Sequence, residues 1–160
     1  MTSPIRPTDD DARQMAQDLL ANAEYAVLAF LDPESGAPST SRIALALGPD
    51  GTPISLVSQL SAHSRGLSND GRCSLLVGEP GAKGDPLTHP RLTVQAVARD
   101  VGRDDPGFVP LRDHYSKLRP KSKLYIDFAD FYFVRFDVSA AFLNGGFGKA
   151  FNLTPADLGL

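Results

Sequence analysis

The sequence predicts a mainly β chain with peripheral helices, folded as a small antiparallel barrel. Three observations predict it. Short segments of alternating or continuous apolar character recur along the chain, as in Tyr25–Leu31, Arg42–Leu47, Ile54–Ser58, Cys73–Val77, Arg91–Asp100 and Asp130–Asp137. Gly- and Pro-bearing turns separate them closely enough for antiparallel, meander-like pairing. Strong helical periodicity is confined to the first twenty-odd residues, with shorter stretches later.

The first helix is expected to begin at Thr8. Asp9, Asp10 and Asp11 follow, where a helix N-terminus stabilises negative charge, and Thr8 and Asp11 have capping-box spacing. Ala12, Met15, Ala16, Leu19, Leu20 and Ala23 then recur on one face, and Asn22–Glu24 ends the helix. Asp32-Pro33-Glu34-Ser35-Gly36 turns the Tyr25–Leu31 strand into the Arg42 strand. Pro49-Asp50-Gly51 turns that strand into Ile54–Ser58, Pro presetting φ and Gly accepting a positive one. A short helix from about Ser61 leads through Asp70-Gly71 to the Cys73 strand. Glu79–Pro90 is a Gly/Pro-rich loop. Asp104–Lys123 is interrupted by prolines, and Val109–Leu118 reads as a short helix with Leu111, Tyr115 and Leu118 on one side. Ala140–Leu143 is expected to add a last strand, and Thr154-Pro155 to begin a helix at the chain end.

The chain has 160 residues and a formal net charge of −3, which favours one domain spanning 1–160 and argues against a broad nucleic-acid-binding surface. The single cysteine, Cys73, excludes an internal disulfide and fits a reducing compartment. Residues 1–8 lack the apolar stretch of a signal peptide, and no apolar run is long enough to cross a bilayer, so a cytoplasmic location is expected. His63, His89 and His114 are scattered, and no metal-ligand spacing appears. Gly145-Gly146-Phe147-Gly148-Lys149-Ala150 matches neither a Walker loop nor a dinucleotide-binding fingerprint.

Chemistry-bearing groups concentrate between Arg42 and Arg65. Arg42 stands at the start of one strand and Ser58 at the end of the next, so a hairpin brings them side by side. Ser61, His63, Ser64 and Arg65 cluster where the following helix begins. Hydroxyls, cations and free helix N–H groups together suit a phosphate. The same residues read equally as a surface arginine, solvated hydroxyls and a helix cap. For His63, a phosphate-binding or capping role is preferred to catalysis, and no catalytic residue is assigned.

Arg42-x-Ala-x-Leu, Leu-Val-Ser-Gln-Leu-Ser-Ala-His-Ser-Arg-Gly-Leu and Arg-Cys-Ser-Leu-Leu-Val, in this order, resemble the FMN-binding split β-barrel superfamily, the pyridoxamine 5′-phosphate oxidase-like proteins. Asp85-Pro86-Leu87-Thr88-His89-Pro90-Arg91-Leu92-Thr93, Ala129-Asp130-Phe131 and the glycine-rich Gly145–Ala150 segment are similar to the haem-utilisation (HugZ-type) branch. The resemblance implies an antiparallel split β-barrel of FMN-binding type and a homodimer with FMN at the subunit interface. It places the FMN phosphate on Arg42, Ser58, Ser61, His63, Ser64 and Arg65, with Arg91 close to the flavin. It implies an FMN-dependent oxidoreductase of small molecules, with a haem-binding or haem-degrading protein, or a flavin-binding module without turnover, as alternatives. The chain has no Trp and lacks the family's Arg-Leu-x-Pro substrate signature, so oxidation of pyridoxamine phosphate is not expected.

One further expectation concerns assembly. In Phe131–Phe136, period-two alternation points Tyr132 and Phe136 away from Phe131 and Phe133. One set must face something other than the barrel interior, either a partner subunit or the Asp104–Lys123 segment.

Overall fold

The computed structural model describes residues 3–160. Nine strands form one sheet: β1 (Ile5–Arg6), β2 (Tyr25–Leu31), β3 (Pro38–Ala44), β4 (Ala46–Leu47), β5 (Pro53–Ser58), β6 (Arg72–Val77), β7 (Arg91–Val101), β8 (Phe131–Asn144) and β9 (Ala150–Leu153). Three α-helices, α1 (Asp10–Asn22), α2 (Ala62–Asn69) and α3 (Phe108–Leu118), pack around it. Hydrogen-bonded neighbours run β1-β9-β8-β7-β6-β2-β3, while β5 pairs with β8 and β4. β8 is long enough for two neighbours on one edge, β5 along Phe131–Arg135 and β9 along Ala141–Asn144.

Several sequence expectations are corrected. The N-cap of α1 is Asp9, not Thr8: its carboxylate accepts the Ala12 N–H at 2.8 Å, joining a cap bond to a charge that suits the helix dipole. Thr8 instead donates to the Asn152 carbonyl at 2.7 Å. The third strand starts at Pro38, so Arg42 lies near its end and not at its start. Ala140–Leu143 is not a separate strand. It continues β8 through a bulge in which Ser139 has no partner between the pairs Gln95↔Ala140 and Ala96↔Val138. The tail forms a 3₁₀ turn, Ala156–Leu158, that buries Leu158. β1 and β9 were not anticipated, and they pair in parallel. The sheet is therefore mixed, not purely antiparallel; a two-residue strand carries no alternation from which to read it.

Two cores flank the β5–β8 wall. The barrel interior packs Leu28, Phe30, Leu45, Leu75, Val94, Tyr132, Val134 and Phe136 beneath α1 and α2. The outer core packs Ile54, Leu56 and Phe133 against Phe108, Leu111 and Tyr115 of α3. Phe133 lies 5.5 Å from the Phe108 ring and 5.4 Å from the Tyr115 ring. The aromatic run is thus covered within one chain: Tyr132 and Phe136 point inward, Phe131 and Phe133 outward toward the α3 core. It supplies no argument for a partner subunit. Coverage on both faces also explains why β5 is buried at five of its six positions.

The sheet curls but does not close. β3 pairs with β2 and β5 with β8, while only the two-residue β4 bridges toward β5. The gap between β3 and β5 splits the barrel, and the chemistry-bearing residues gather there.

Candidate functional site

The β4–β5 register sets Ala46 opposite Ile54. Four residues further along each strand, the same register brings Arg42 level with Ser58, on opposite lips of the split. Both belong to the outer-facing positions, since Ala46 and Ile54 join the outer core and every second residue shares that face. The Ser55 hydroxyl donates to the Ala44 carbonyl at 2.6 Å, so the two strands remain adjacent just before they part.

α2 begins four residues beyond Ser58. The turn between them is held by its serines. The Ser61 and Ser64 hydroxyls donate to the Ser58 carbonyl at 2.5 and 2.6 Å. The Ser58 hydroxyl donates to the Asp130 carboxylate at 2.5 Å and accepts the Leu60 N–H at 3.2 Å. These protons are therefore committed to internal acceptors. Because Ser61 turns its hydroxyl back to Ser58, α2 has no side-chain cap. The Ala62, His63 and Ser64 N–H groups meet no acceptor among the described residues. A helix first turn left open in this way favours an anion.

The cations are distributed unevenly. Arg13, Arg72, Arg99, Arg112 and Arg135 form ion pairs with aspartates. Among the described residues neither Arg42 nor Arg65 bonds a carboxylate. The Arg42 guanidinium lies over the Tyr25 ring, 5.4 Å from its centroid, and Glu79 beside the Tyr25 hydroxyl raises that phenol's pKa. Arg65 reaches only the Leu60 carbonyl, at 3.4 Å.

The three histidines differ in the same way. His89 accepts the Gly81 N–H on Nδ1 at 2.8 Å, and its Nε2 lies 2.7 Å from the Lys83 carbonyl, so both ring nitrogens are used within the 79–90 loop. His114 Nε2 sits 2.8 Å from the Leu47 carbonyl. The His63 ring makes no hydrogen bond among the described residues and stands edge-on to Phe30, 6.4 Å away. Burial lowers its pKa, favouring the neutral imidazole.

Gly66 allows α2 to lie this close to β2: a Cβ there would stand 2.5 Å from Phe30 Cδ2 and 2.9 Å from the Leu31 carbonyl oxygen.

No family model matches the chain. One solved chain is 42% identical, with a TM-score of 0.85 over 96% of this chain and 98% of its own. The chloroplastic non-canonical heme oxygenase HOZ of Arabidopsis thaliana is 34% identical over 128 residues, covering 73% of this chain and 37% of its own. The heme binding protein of Mycobacterium smegmatis is 29% identical, with a TM-score of 0.81 over 96% of this chain and 61% of that one. A Clostridium acetobutylicum protein related to general stress protein 26, of the pyridoxinephosphate oxidase family, shares 13% identity and a TM-score of 0.68 over 94% of this chain and 99% of that one. The chain has the pyridoxamine 5′-phosphate oxidase-like split-barrel fold, and haem proteins are among its relatives. It spans little more than a third of the curated relative it matches.

Within this split-barrel chain, Ser58, Ser61, His63, Ser64 and Arg65 come together, and Arg42 faces them across the split. Arg91 does not join them. Across the sheet, Arg42 is level with Val27, Leu76 and Thr93, so Arg91 lies three strands away and two residues further along. Its guanidinium braces the 79–90 loop through the Leu87 and His89 carbonyls at 3.1 and 3.4 Å. Asp130 and Tyr25 belong to the site and were not singled out from sequence as site residues. In the sequence, Ala129-Asp130-Phe131 stands out only as a family motif, and Tyr25 only as the first residue of a strand.

Among the described residues no helix is long and apolar enough to cross a membrane, and no group of His, Cys, Asp and Glu could hold a metal ion.

Proposed function

We propose that the chain is an FMN-binding flavoprotein, an oxidoreductase of small molecules, with the FMN phosphate held across the split of the barrel. One observation carries this reading: Arg42, free of any carboxylate, stands level with Ser58, and the open first turn of α2 follows directly. A buried dianion needs both a cation and N–H donors. Arg42 and Arg65 would supply charge, and the Ala62, His63 and Ser64 amides the donors. Ser58, Ser61 and Ser64 would fix the turn that aims those amides. When bound, the flavin would supply the redox chemistry. Arg91, braced on the far side of the sheet, would reach the same flavin only from a second copy of the chain, which is why the reading includes a homodimer.

A haem-binding role is the second reading. The mycobacterial relative is a heme binding protein and the Arabidopsis relative a heme oxygenase, and His63 has both ring nitrogens without a hydrogen bond among the described residues. Haem propionates are anions too, so the same lip would serve them.

Absorbance of the purified protein tests both. Flavin bands, or quenched FMN fluorescence on titration of the apoprotein, support the first reading. A Soret band that grows on haemin titration and is lost in His63→Ala supports the second. Bleaching of bound flavin by a reduced nicotinamide under anaerobic conditions would support oxidoreductase function rather than a passive flavin module.

A further inference from the structure

We infer that Asp130 sets which anion the split accepts: a carboxylate fixed beside the open turn of α2 makes a doubly charged phosphate bind there only together with a proton. The inference rests on the flavin reading above and concerns the charge state of the group bound at that site.

The β5–β8 register brings Asp130 to this place. Ser58 pairs with Phe131, and the Gln59 N–H continues the ladder by donating to the Asp130 carbonyl at 2.8 Å. The backbone of Asp130 is thus pinned to the segment that leads from β5 into α2. Its half-buried side chain turns to the same strand end and accepts the Ser58 hydroxyl at 2.5 Å. Among the described residues the carboxylate forms no ion pair and accepts no other hydrogen bond. Its charge is therefore carried into the site uncompensated.

The charged and titratable groups of the surrounding elements leave it so. Arg103 donates to the Phe128 and Phe131 carbonyls on either side of Asp130, at 3.1 and 3.3 Å, and to no carboxylate. Asp127 is engaged by Arg112 at 2.6 Å. Tyr125 packs against Phe131, with 5.1 Å between ring centroids. On α2, Arg65 reaches the Leu60 carbonyl, and burial holds the His63 imidazole below its ordinary pKa. Across the split, Arg42 lies over the Tyr25 ring, and Glu79 stands beside the Tyr25 hydroxyl. Arg42 and Arg65 each bring a positive charge and Asp130 takes one back, so the site is balanced for a singly charged anion. A phosphate monoester loses its second proton near pH ~6, and at neutral pH it arrives with one negative charge too many. Like charges sharing one site favour protonation of one of them. The complex therefore holds one proton more than its separated parts, on the phosphate or on Asp130.

Calorimetric titration of the full chain with FMN at pH 7.5, in buffers of different ionisation enthalpy, counts that proton. Wild type should take up roughly one proton per FMN, and its dissociation constant should rise by up to about tenfold per pH unit above neutrality. Asp130→Asn keeps an acceptor for the Ser58 hydroxyl and removes the charge. It should lose the proton uptake and the pH slope, and bind FMN about tenfold more tightly than wild type at pH 8. His63→Gln should still take up the proton, which separates the carboxylate from the imidazole. Riboflavin, the same ring without the phosphate, should bind more weakly and without uptake. A purely structural role for Asp130 would change Tm and affinity and leave the proton count as it is. FMN binding by wild type without proton uptake, an undiminished count in Asp130→Asn, or the same count with riboflavin would overturn the inference and leave the flavin reading standing. The wild-type count decides even where a variant does not fold. Failure of wild type to bind FMN at all would overturn the flavin reading, and this inference with it.

Discussion

Arg42→Ala separates binding from folding. In the folded chain Arg42 forms no ion pair among the described residues, and its one contact of note is the Tyr25 ring at 5.4 Å. An exposed cation–π contact contributes about 0.5–1 kcal/mol. For a chain of this size that corresponds to a fall in Tm of no more than about 4 °C. The phosphate contact is larger, because a charge-assisted hydrogen bond contributes on the order of 2 kcal/mol. Converted at about 1.4 kcal/mol per tenfold, FMN should bind roughly 30-fold more weakly. Arg42→Lys keeps the charge but loses the planar fork and should fall between the two. Fluorescence titration of apoprotein gives the dissociation constant, and a thermal melt of the same sample gives Tm. An unchanged dissociation constant removes Arg42 from the site. A Tm loss of more than about 10 °C would show instead that the cation holds the fold, and the reasoning from its free guanidinium would fail.

Gly66→Ala should destabilise the protein by about 1–3 kcal/mol in urea unfolding, through overpacking against Phe30 and the Leu31 carbonyl; at an open helix position the same change gains about 1 kcal/mol. Burial lowers the His63 pKa below its ordinary 6.5, so the unfolded chain binds this proton more readily than the folded one. The stability associated with neutral His63 is complete above pH 6.5 and declines as pH falls toward the folded-state value. Urea midpoints of wild type and His63→Gln should therefore keep a constant difference from pH 7 to 8 and shift in the variant's favour toward pH 5; a difference independent of pH would contradict the burial. The Cys73 thiol, pushed up to about 11 by burial, should react with iodoacetamide at pH 8 far more slowly than a free thiol. Labelling at the free-thiol rate would show that the strand face around Cys73 opens readily.

The legible parts of the fold were those written in local chemistry. Turn residues and alternation locate β2, β5, β6 and β7, and hairpin arithmetic alone brings Arg42 and Ser58 level. The hydroxyl and cation cluster at the start of α2 was legible for the same reason, since its members lie within eight residues of each other. Long-range features were not. The β1–β9 pair joins Ile5 to Ala150 in a ladder of two residues, too short for any period. The Ser58–Asp130 bond spans 72 positions, and nothing near Ser58 announces that its proton is already taken. Cover for Phe131 and Phe133 was obscured by Pro106 and Pro110. Pro106 precedes α3 and Pro110 falls in its first turn, where a missing N–H costs nothing. The segment that looked broken is the lid of the outer core.

The split itself follows from how its backbone is satisfied. Strands part at a cost, because each carbonyl that loses its ladder partner must find another donor. Here side chains supply them. Ser55 donates to Ala44, Arg119 to Leu45 at 2.9 Å and to Ala23, and His114 Nε2 meets Leu47 at 2.8 Å. These donors come from β5, from α3 and from Arg119 just past its end, and stop at Ala44. Beyond that point β3 still pairs with β2 on one side, while its other edge faces the gap. The chain thus holds the strands together as far as Ala44 and leaves them apart at Arg42 and Ser58. The opening lies between the strand that carries Arg42 and the strand that leads from Ser58 into the uncapped turn of α2. On the proposed reading, a ligand that is anionic at one end and flat at the other would place its anion on the open amides. The same geometry explains why flavin and haem compete as readings, and why the anchor of the anion, and not the identity of the ring, is what the residues at the split define.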